Sequence, residues 1–510
     1  MKTLDVIRDE DVEYPLLKEV PLSFAKGNMI MPLKRENGHL MAAVSDERGV
    51  LALRELAGHF GLSPLPLRAA AGIVIDAINR FYGQVGSAEE VMGNISGEDL
   101  SSVATEFEKP RDILELTEEA PIIRLLNAIL QQAVKERASD IHIEPYEKGL
   151  DVRMRVDGIL HRVLTPPKII QDALVSRVKI MADLDIAEKR LPQDGRIRLL
   201  IGGRDIDIRV SVIPTMFGER VVLRLLDRKQ GLIGLWEVGL DQEDVRLFEE
   251  LLTRTSGILL VTGPTGSGKT TTLYAALNRV HTEEKNIITV EDPVEYQLNG
   301  VGQIQVTPKV GLTFASGLRS ILRQDPDIIM VGEIRDVETA EIAIQASLTG
   351  HLVLSTLHTN DAPSAIVRLI DMGVEPFLVA SSLMGVLAQR LVRNICPHCR
   401  EAYEPTETEK SYLSSSSLPF SKSLTLYRGK GCEKCNGAGY LGRRGIFEFL
   451  TVNDAIRGMV TEKSDSQVIK NAAVMNGMKT LRIDGFRKVL QGVTTIEEVL
   501  RVTQKDLTEV

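Results

Sequence analysis

The chain has 510 residues, of which 43% are hydrophobic and 26% are charged, which is the balance of a folded globular protein. One hydrophobic core does not grow to this length, so about three to five domains are expected. The net charge of −9 argues against nucleic acid as a main partner, because binding a phosphate backbone needs concentrated Lys and Arg. The acidic start of the chain shows no signal-peptide pattern, which predicts a cytoplasmic protein.

The predicted first domain, residues 1–85, mixes short apolar stretches with helical periodicity, which is clearest from Pro66 to Phe81. This mixture predicts a small α/β or helical domain. The following residues, 86–119, are rich in Gly, Ser and acidic residues and poor in aromatics. We predict that they form a flexible linker, because such a composition buries little apolar surface.

A second α/β domain is predicted for residues 120–230. It opens with a helical pattern from Ile122 to Arg137 and contains a strand pattern from Gly203 to Ile213. Apolar and polar residues alternate along that strand. Its charged side chains, among them Asp207 and Arg209, are therefore expected on the face away from the core.

The third predicted domain, residues 231–392, holds short, continuously apolar strands separated by helical patterns. The strands are predicted at Gly257 to Thr262, Asn286 to Val290, Ile328 to Val331 and His351 to Thr356. Apolar strands of this kind indicate a mainly parallel sheet with helices on both faces. Residues 393–445 then contain every cysteine of the chain, and residues 446–510 are helical by pattern.

The apolar strand ending at Thr262 leads into a glycine-rich loop that fits the Walker A pattern and opens a helix. Such a loop points backbone N–H groups at phosphate oxygens, and the helix adds its positive N-terminal dipole. We predict that Lys269 binds the β and γ phosphates of ATP and that the Thr270 hydroxyl holds Mg²⁺. The predicted nucleotide-binding residues are Gly263, Pro264, Thr265, Gly266, Ser267, Gly268, Lys269, Thr270 and Thr271.

Hydrolysis also needs a group that positions or deprotonates water near the γ phosphate. The buried strand pattern beginning at Asp327 ends in Glu333, at the place where parallel sheets present catalytic groups. Glu333 is therefore the candidate general base, and a solvated acid at a strand end is the alternative. Gly332 stands where an Asp commonly helps to hold Mg²⁺, so the metal would depend on Thr270, water and another carboxylate.

Three further segments resemble, in this order, the Asp box, the Walker B box and the His box of the type II and type IV secretion ATPases. They are Ile288 to Tyr296, Gly332 to Asp336 and Gly350 to Asp361. Upstream, Ala138 to Pro145 and Leu191 to Arg196 are similar to the second N-terminal domain of that family. The resemblance implies an α/β protein with a RecA-like P-loop ATPase domain, a smaller α/β N-terminal domain, a further N-terminal docking domain and a zinc-bound insert.

The resemblance also implies catalytic roles for individual residues. Glu291 and Glu333 would be the essential acids around Mg²⁺ and the attacking water. Arg209 and Arg224 match arginines that contact nucleotide phosphate in this family, and we predict that they reach the γ phosphate. The alternative for both arginines is an ion pair with a nearby acid on an exposed strand face.

Four other residues are candidates with open alternatives. The resemblance implies that His351 and His358 link the nucleotide state to subunit contacts, while hydrogen-bonded structural histidines fit the pattern about equally. Arg319 and Arg323 share one face of a predicted helix. From there they would approach phosphate or a neighbouring subunit, or form surface ion pairs.

The cysteines form two CxxC pairs, the ligand spacing of a structural zinc site. They are Cys396, Cys399, Cys432 and Cys435. We predict one Zn²⁺ held by four thiolates, with His398 outside the ligand set. An iron–sulfur cluster, a redox pair and a nucleic-acid-binding ribbon are the alternatives.

The resemblance implies a homo-hexameric motor that hydrolyses ATP, drives pseudopilus assembly and exports proteins through a type II secretion system. Its first domain would bind the cytoplasmic domain of an inner-membrane platform protein. A cytoplasmic chain would thus reach the inner membrane through its partners only. A type IV pilus assembly ATPase is the alternative from the same class. A nucleotide-sensing scaffold is the alternative from another class, and the intact Lys269, Glu291 and Glu333 argue against it.

Overall fold

The computed structural model describes residues 3–4, 7–82, 121–201, 204–227, 233–415, 418 and 424–503. The chain folds as two compact units that divide between Gln230 and Gly231. The linker predicted at 86–119 lies outside the described residues. Within the described ranges, no helix combines the length and the apolar character that a membrane crossing requires.

The N-terminal part of the first unit is a mixed α/β fold. Its strands are β1 (Thr3–Leu4), β2 (Ile30–Glu36), β3 (His39–Val44) and β4 (Ser63–Ala69), and its helices are α1 (Tyr14–Glu19), α2 (Leu22–Gly27), α3 (Glu47–His59) and α4 (Ala71–Tyr82). The sheet has the order β1-β4-β3-β2, in which β2 and β3 are antiparallel and the other pairs are parallel. Buried side chains form an apolar cluster on each side of it.

The helix predicted from Pro66 begins later in the structure, because residues up to Ala69 belong to β4 and α4 begins at Ala71. Proline has no N–H to donate and its ring clashes with the preceding turn, so Pro66 does not continue into a helix interior. Leu67 and Ala69 are buried while Arg68 between them is exposed, which is the alternation of a strand.

The C-terminal part of the first unit is a six-stranded antiparallel sheet with two helices. Its elements are α5 (Pro121–Lys135), β5 (Asp140–Pro145), β6 (Leu150–Val156), β7 (Ile159–Leu164), α6 (Gln171–Met181), β8 (Gln193–Ile201), β9 (Arg204–Thr215) and β10 (Gly218–Asp227). The strand order is β7-β6-β5-β10-β9-β8. One apolar core joins α5 and α6 to the sheet.

Strand β9 confirms the strand predicted from Gly203 to Ile213. Its apolar residues are buried in alternation, as expected, and Arg209 is half-buried on the other face. Asp207 shares that second face but is also buried, because the guanidinium of Arg196 on β8 covers it in an ion pair. The charged face of this sheet is therefore a network of paired side chains.

The second unit is built on a seven-stranded sheet. The strands of this unit are β11 (Gly257–Thr262), β12 (Ile287–Glu291), β13 (Gly302–Gln305), β14 (Ile328–Val331), β15 (Leu352–Leu357), β16 (Leu383–Ile395), β17 (Arg400–Tyr403), β18 (Leu426–Gly429) and β19 (Tyr440–Thr451). The sheet order is β13-β12-β14-β15-β11-β16-β19, and only the last pair is antiparallel. The four predicted strands of the third domain are therefore confirmed, together with their mainly parallel arrangement.

Helices cover both faces of this sheet. They are α7 (Leu235–Val238), α8 (Gln242–Leu252), α9 (Lys269–Val280), α10 (Phe314–Ile321), α11 (Val337–Leu348), α12 (Ala362–Asp371) and α13 (Pro376–Ser382). Successive residues of β11 enter different cores: Ile258 and Leu260 belong to one apolar cluster, and Leu259 and Val261 to the other. The strand is continuously apolar because each face meets a hydrophobic layer.

Beyond β16, the chain forms a small cysteine-containing lobe and then a helical tail. Strands β17 and β18 pair as an antiparallel ladder, and α14 (Glu407–Ser415) lies between them in sequence. The tail helices are α15 (Asp454–Thr461), α16 (Ser466–Met475), α17 (Leu481–Leu490) and α18 (Ile496–Val502). These helices confirm the predicted helical pattern from Asp454 to Val502. Residues 446–451, at the start of the predicted range, belong instead to β19 of the main sheet, and residues 504–510 lie outside the described residues.

Candidate functional site

The Walker A loop joins the buried strand β11 to helix α9, as its sequence predicts. Its tip, Pro264 to Gly266, is exposed, whereas Ser267 and Lys269 are buried. Gly263 has a φ of +151°, and a Cβ atom there would lie 2.5 Å from the carbonyl oxygen of Gln389 on β16. Only glycine lets the loop lie this close to the neighbouring strand.

Lys269 points back into its own loop. Its Nζ donates to the carbonyl oxygens of Gly263 at 2.8 Å and Pro264 at 3.2 Å. Burial lowers the pKa of Lys269 to about 8, the charge of Glu333 opposes this effect, and the charge of Arg390 adds to it. The ammonium group is thus held inside the loop by two neutral carbonyl oxygens. The charged oxygens of a bound phosphate would be stronger acceptors and would take their place.

The loop fits a phosphate group on two observations. The Ser267 hydroxyl is buried and has no hydrogen-bond partner within the described part of the chain. The N-terminal end of α9, beginning at Lys269, opens directly beneath the loop and offers unpaired backbone N–H groups. Thr270 and Thr271 lie half-buried in the first turn of that helix, where a hydroxyl can reach a metal ion beside the phosphates.

Glu333 lies just beyond β14, at the same edge of the sheet as the Walker A loop. One carboxylate oxygen pairs with the guanidinium of Arg335, and the other lies 3.1 Å from Nε2 of His358. His358 itself follows β15, the neighbouring parallel strand. The structure thus brings together the predicted base and one of the two predicted histidines.

Gly332 has a steric reason to be glycine. A Cβ atom at this position would lie 3.3 Å from Cα of Glu291 and 3.3 Å from the carbonyl oxygen of Val290. Its N–H also donates to that same carbonyl at 2.8 Å. These contacts are tighter than a Cβ atom normally makes, so an aspartate here would require the strand that carries Glu291 to shift by a few tenths of an ångström.

Glu291 is the last residue of β12 and is only 3% exposed. Its Oε1 accepts from the Thr289 hydroxyl at 2.6 Å and from Nε2 of Gln303 at 3.1 Å, and its Oε2 accepts from the Tyr274 hydroxyl at 2.5 Å. Burial raises the pKa of Glu291, and these hydrogen bonds oppose the rise. The Asp box thus places a second carboxylate at the carboxyl end of a strand next to β14.

The two histidines of the His box lie at opposite ends of β15. His351 precedes the strand, where its Nδ1 lies 2.8 Å from the carbonyl oxygen of Ala346. His358 follows the strand and meets Glu333. The turn after His358 is tied to the phosphate-loop strand, because the N–H of Thr359 donates to the Thr262 hydroxyl at 2.9 Å. This hydrogen bond agrees with the alternative prediction, in which His351 is a structural histidine.

Of the two arginines predicted on one helix, Arg319 makes the surface ion pair of its alternative prediction, whereas Arg323 lies just past the end of α10 and makes no such ion pair among the described residues. Arg319 donates to a carboxylate oxygen of Glu338 at 2.6 Å, and both side chains are about half exposed. Arg323 donates to the carbonyl oxygen of Arg319 at 2.8 Å.

Arg209 and Arg224 face each other in the ladder between β9 and β10 of the first unit. Nε of Arg224 donates to a carboxylate oxygen of Asp140 at 3.0 Å, and more than half of the Arg224 side chain remains exposed. Arg196, on the other side of Arg209 in the ladder, pairs with Asp207. The two predicted phosphate-contacting arginines therefore stand side by side on one charged sheet face.

The four cysteines form one cluster, in which all four sulfur atoms lie within 4.8 Å of one another. The closest pairs are Cys432 to Cys435 at 3.7 Å and, at 3.9 Å each, Cys396 to Cys432 and Cys399 to Cys435. Four sulfurs at about 2.3 Å from a central Zn²⁺ would be about 3.8 Å apart, so the cluster fits a tetrahedral ion. His398 is exposed and outside the cluster.

Three residues of the site were not predicted from the sequence. Arg335 follows Glu333 by two positions within the segment that resembles the Walker B box, but no role was assigned to it. Gln389 accepts from the Thr272 hydroxyl at 2.7 Å and thereby holds α9 to β16. Tyr274 has the spacing of an ordinary core aromatic on α9, and nothing in the local pattern shows that its hydroxyl reaches Glu291.

A glycine loop around a buried lysine, with carboxylates after two adjacent parallel strands, defines a P-loop ATPase of the RecA-like class. The family model described as "Type II/IV secretion system protein" matches residues 115–501, and the one described as "MshEN domain" matches residues 4–88. The chain therefore belongs to the type II/IV secretion system protein family, and it is an ATPase.

Several curated relatives cover nearly the whole chain, among them a type II secretion protein and a pilus assembly ATPase. Type II secretion system protein E of Pseudomonas aeruginosa is 50% identical over 495 residues, which are 96% of this chain and 97% of the relative. The type IV pilus assembly ATPase PilB of Myxococcus xanthus is 45% identical over 504 residues, which are 98% of this chain and 88% of the relative.

Among solved structures, the pilus retraction motor PilT with bound ADP matches with a TM-score of 0.50 and 26% identity, covering 76% of this chain and 98% of that chain. These comparisons confirm the predicted family and the predicted P-loop fold.

Proposed function

We propose that this protein is the hexameric motor that hydrolyses ATP to drive pseudopilus assembly and protein export in a type II secretion system. The observation that supports it is the joint placement of Lys269, Glu291 and Glu333 at one edge of the sheet. The 50% identity to type II secretion system protein E of Pseudomonas aeruginosa favours this output. The 45% identity to the pilus assembly ATPase PilB keeps pilus assembly as the second candidate.

In the proposed reaction, the phosphate loop holds the β and γ phosphates, and Lys269 exchanges its carbonyl acceptors for phosphate oxygens. Glu333 takes the proton of the attacking water, because it is a strand-end acid whose charge acts on Lys269 in the phosphate loop. The Thr270 hydroxyl and Glu291 would hold Mg²⁺, directly or through water. The ion would neutralise the phosphate charge.

Arg209 and Arg224 are proposed to contact the γ phosphate, which would make hydrolysis depend on movement of the first unit. A guanidinium stabilises the charge that spreads over a transferring phosphoryl group. The exposed part of Arg224 supports this role, because its pairing with Asp140 leaves other N–H donors of the fork for a second acceptor.

The cysteine cluster is proposed to hold one structural Zn²⁺. Four converging thiols and the hydrogen bonds that Cys435 Sγ accepts from the N–H groups of Cys432 and Gly439 support this assignment. A shell of four sulfurs leaves no position for substrate, so the ion would stabilise the lobe after β16 without taking part in hydrolysis.

The N-terminal part of the chain is proposed to bind the cytoplasmic domain of an inner-membrane platform protein and so to recruit a cytoplasmic hexamer to the membrane. Every residue assigned to nucleotide or metal lies beyond residue 200, which leaves the fold of residues 7–82 available for a partner. The match of residues 4–88 to a separate domain family agrees with an independent role.

The test replaces the chromosomal gene in its native host with a Glu333→Gln allele and measures both exoproteins in the culture medium and surface pili. A type II motor loses exoprotein release and keeps its pili. Loss of pili with normal release would instead establish the second candidate. The matched control is Glu283→Gln, at an exposed glutamate in the loop before β12 and away from the site; this strain should behave as the parent.

A further inference from the structure

Tyr274 and Glu291 form a buried pair between two functional segments. Tyr274 lies in α9, the helix that begins at Lys269, and Glu291 ends β12. The tyrosine is 1% exposed and the glutamate 3%. The hydroxyl of Tyr274 donates to Oε2 of Glu291 at 2.5 Å, while the other carboxylate oxygen accepts from Thr289 and Gln303.

The ring of Tyr274 is fixed by packing, independently of its hydroxyl. It belongs to the apolar core on one face of the sheet and meets the ring of Tyr296 edge to face, with centroids 5.7 Å apart. A phenylalanine would fill this space as well. The hydroxyl therefore matters for its polar contacts, among them Glu291 and the backbone N–H groups of Glu295, at 3.3 Å, and Tyr296.

We propose that Tyr274 is a positioning residue for ATP hydrolysis, whose hydroxyl fixes the direction of the Glu291 carboxylate relative to the phosphate-loop helix. The remaining donors to Glu291 come from its own strand and from β13, and neither contacts the nucleotide loop. The hydrogen bond from Tyr274 therefore links the position of helix α9 to the orientation of the Glu291 carboxylate. This inference depends on the proposed role of Glu291, so the experiment separates the two.

The geometry gives the experiment a specific readout. Oε2 of Glu291 accepts from the Tyr274 hydroxyl, and Oε1 accepts from Thr289 and Gln303. Removal of the phenol leaves the Oε1 contacts in place and takes away the contact that ties the carboxylate to α9. The loss is therefore expected in the catalytic step and not in nucleotide binding.

The experiment compares Tyr274→Phe with the parent in assembled full-length protein, by kcat and KM for ATP at pH 7. We expect kcat to fall about tenfold, the scale of one hydrogen bond to a charged group, with little change in KM.

The matched control is Tyr403→Phe. It removes the same kind of bond, from a tyrosine hydroxyl to a glutamate, at 2.6 Å to Glu409 in the cysteine-containing lobe. Both variants should lose a similar amount of thermal stability, and only Tyr274→Phe should lower kcat. A purely structural role for Tyr274 would instead lower the melting temperature and leave kcat unchanged, which would overturn the proposal.

The Glu291→Gln variant separates the remaining outcomes. If it is inactive while Tyr274→Phe keeps the parent kcat and KM, Glu291 retains its role and Tyr274 has none. If Glu291→Gln hydrolyses ATP at the parent rate, the proposed role of Glu291 fails and the inference about Tyr274 fails with it.

Discussion

Nε2 of His358 lies 3.1 Å from a carboxylate oxygen of Glu333, although the two residues are 25 positions apart in the chain. The contact exists because each follows one of two adjacent parallel strands, β15 and β14. Arg335 engages the other carboxylate oxygen. The direction of the proposed base is thus set by side chains from two different chain segments, and one of these, the His358 turn, is also tied to the phosphate-loop strand.

Replacing Glu333 with Gln should abolish turnover and leave nucleotide binding intact. The amide keeps the shape of the side chain but cannot accept a proton from water, and loss of a positioned base lowers kcat by at least about a hundredfold. Single-turnover hydrolysis and binding of a fluorescent ATP analogue measure the two effects separately. A kcat near that of the parent would remove Glu333 from the mechanism.

ATP affinity should weaken as the pH rises above about 8. Burial places the pKa of Lys269 near 8 in the free protein, so the side chain is charged below that pH and progressively neutral above it. Binding of phosphate requires the charged form, and at higher pH a proton must be taken up first. Titration calorimetry from pH 7 to pH 9.5 measures this dependence. Lys269→Arg should flatten it, because arginine stays charged throughout; a flat parent profile would contradict the prediction.

The purified protein should contain one zinc ion per chain, and Cys396→Ser should lose it together with local stability. Removal of one thiolate leaves three ligands, which hold the metal less tightly and expose the lobe after β16 to unfolding. Metal content by mass spectrometry and melting temperature check both effects. His398→Ala is the control, since this exposed residue lies between two cysteines and outside their cluster. Iron, or a stable metal-free protein, would exclude the assignment.

Arg209→Ala and Arg224→Ala should each lower kcat strongly and change ATP affinity much less. Arginines that contact a transferring phosphoryl group contribute roughly a thousandfold or more in rate, mainly in the transition state. Arg204→Ala removes an arginine of the same strand that pairs with Asp227 at 3.7 Å, and this control should hydrolyse ATP normally. Parent rates for both test variants in assembled rings would make the two arginines structural.

The backbone frame of the site was predictable and its side-chain network was not. Strand β11 and the phosphate loop were predicted because a continuous apolar run followed by a glycine pattern has few alternative folds. The link from Tyr274 to Glu291 depends on how α9 packs across the sheet, and helical spacing alone cannot distinguish such a residue from any other core aromatic. The strand at Pro66 was missed because its leucines also fit a helical period.

In the usual Walker B arrangement one strand carries both acids. Here Gly332 stands in place of one of them, and the two proposed acids lie on different strands. Glu291 ends β12 and Glu333 follows β14, and the ladder that pairs Val290 with Val331 sets the spacing between them. The distance between the two proposed catalytic acids is therefore a property of the sheet and not of a local turn. If one strand slid past the other, the distance between Glu291 and Glu333 would change. A substitution deep in the core, far from any nucleotide, can therefore lower kcat.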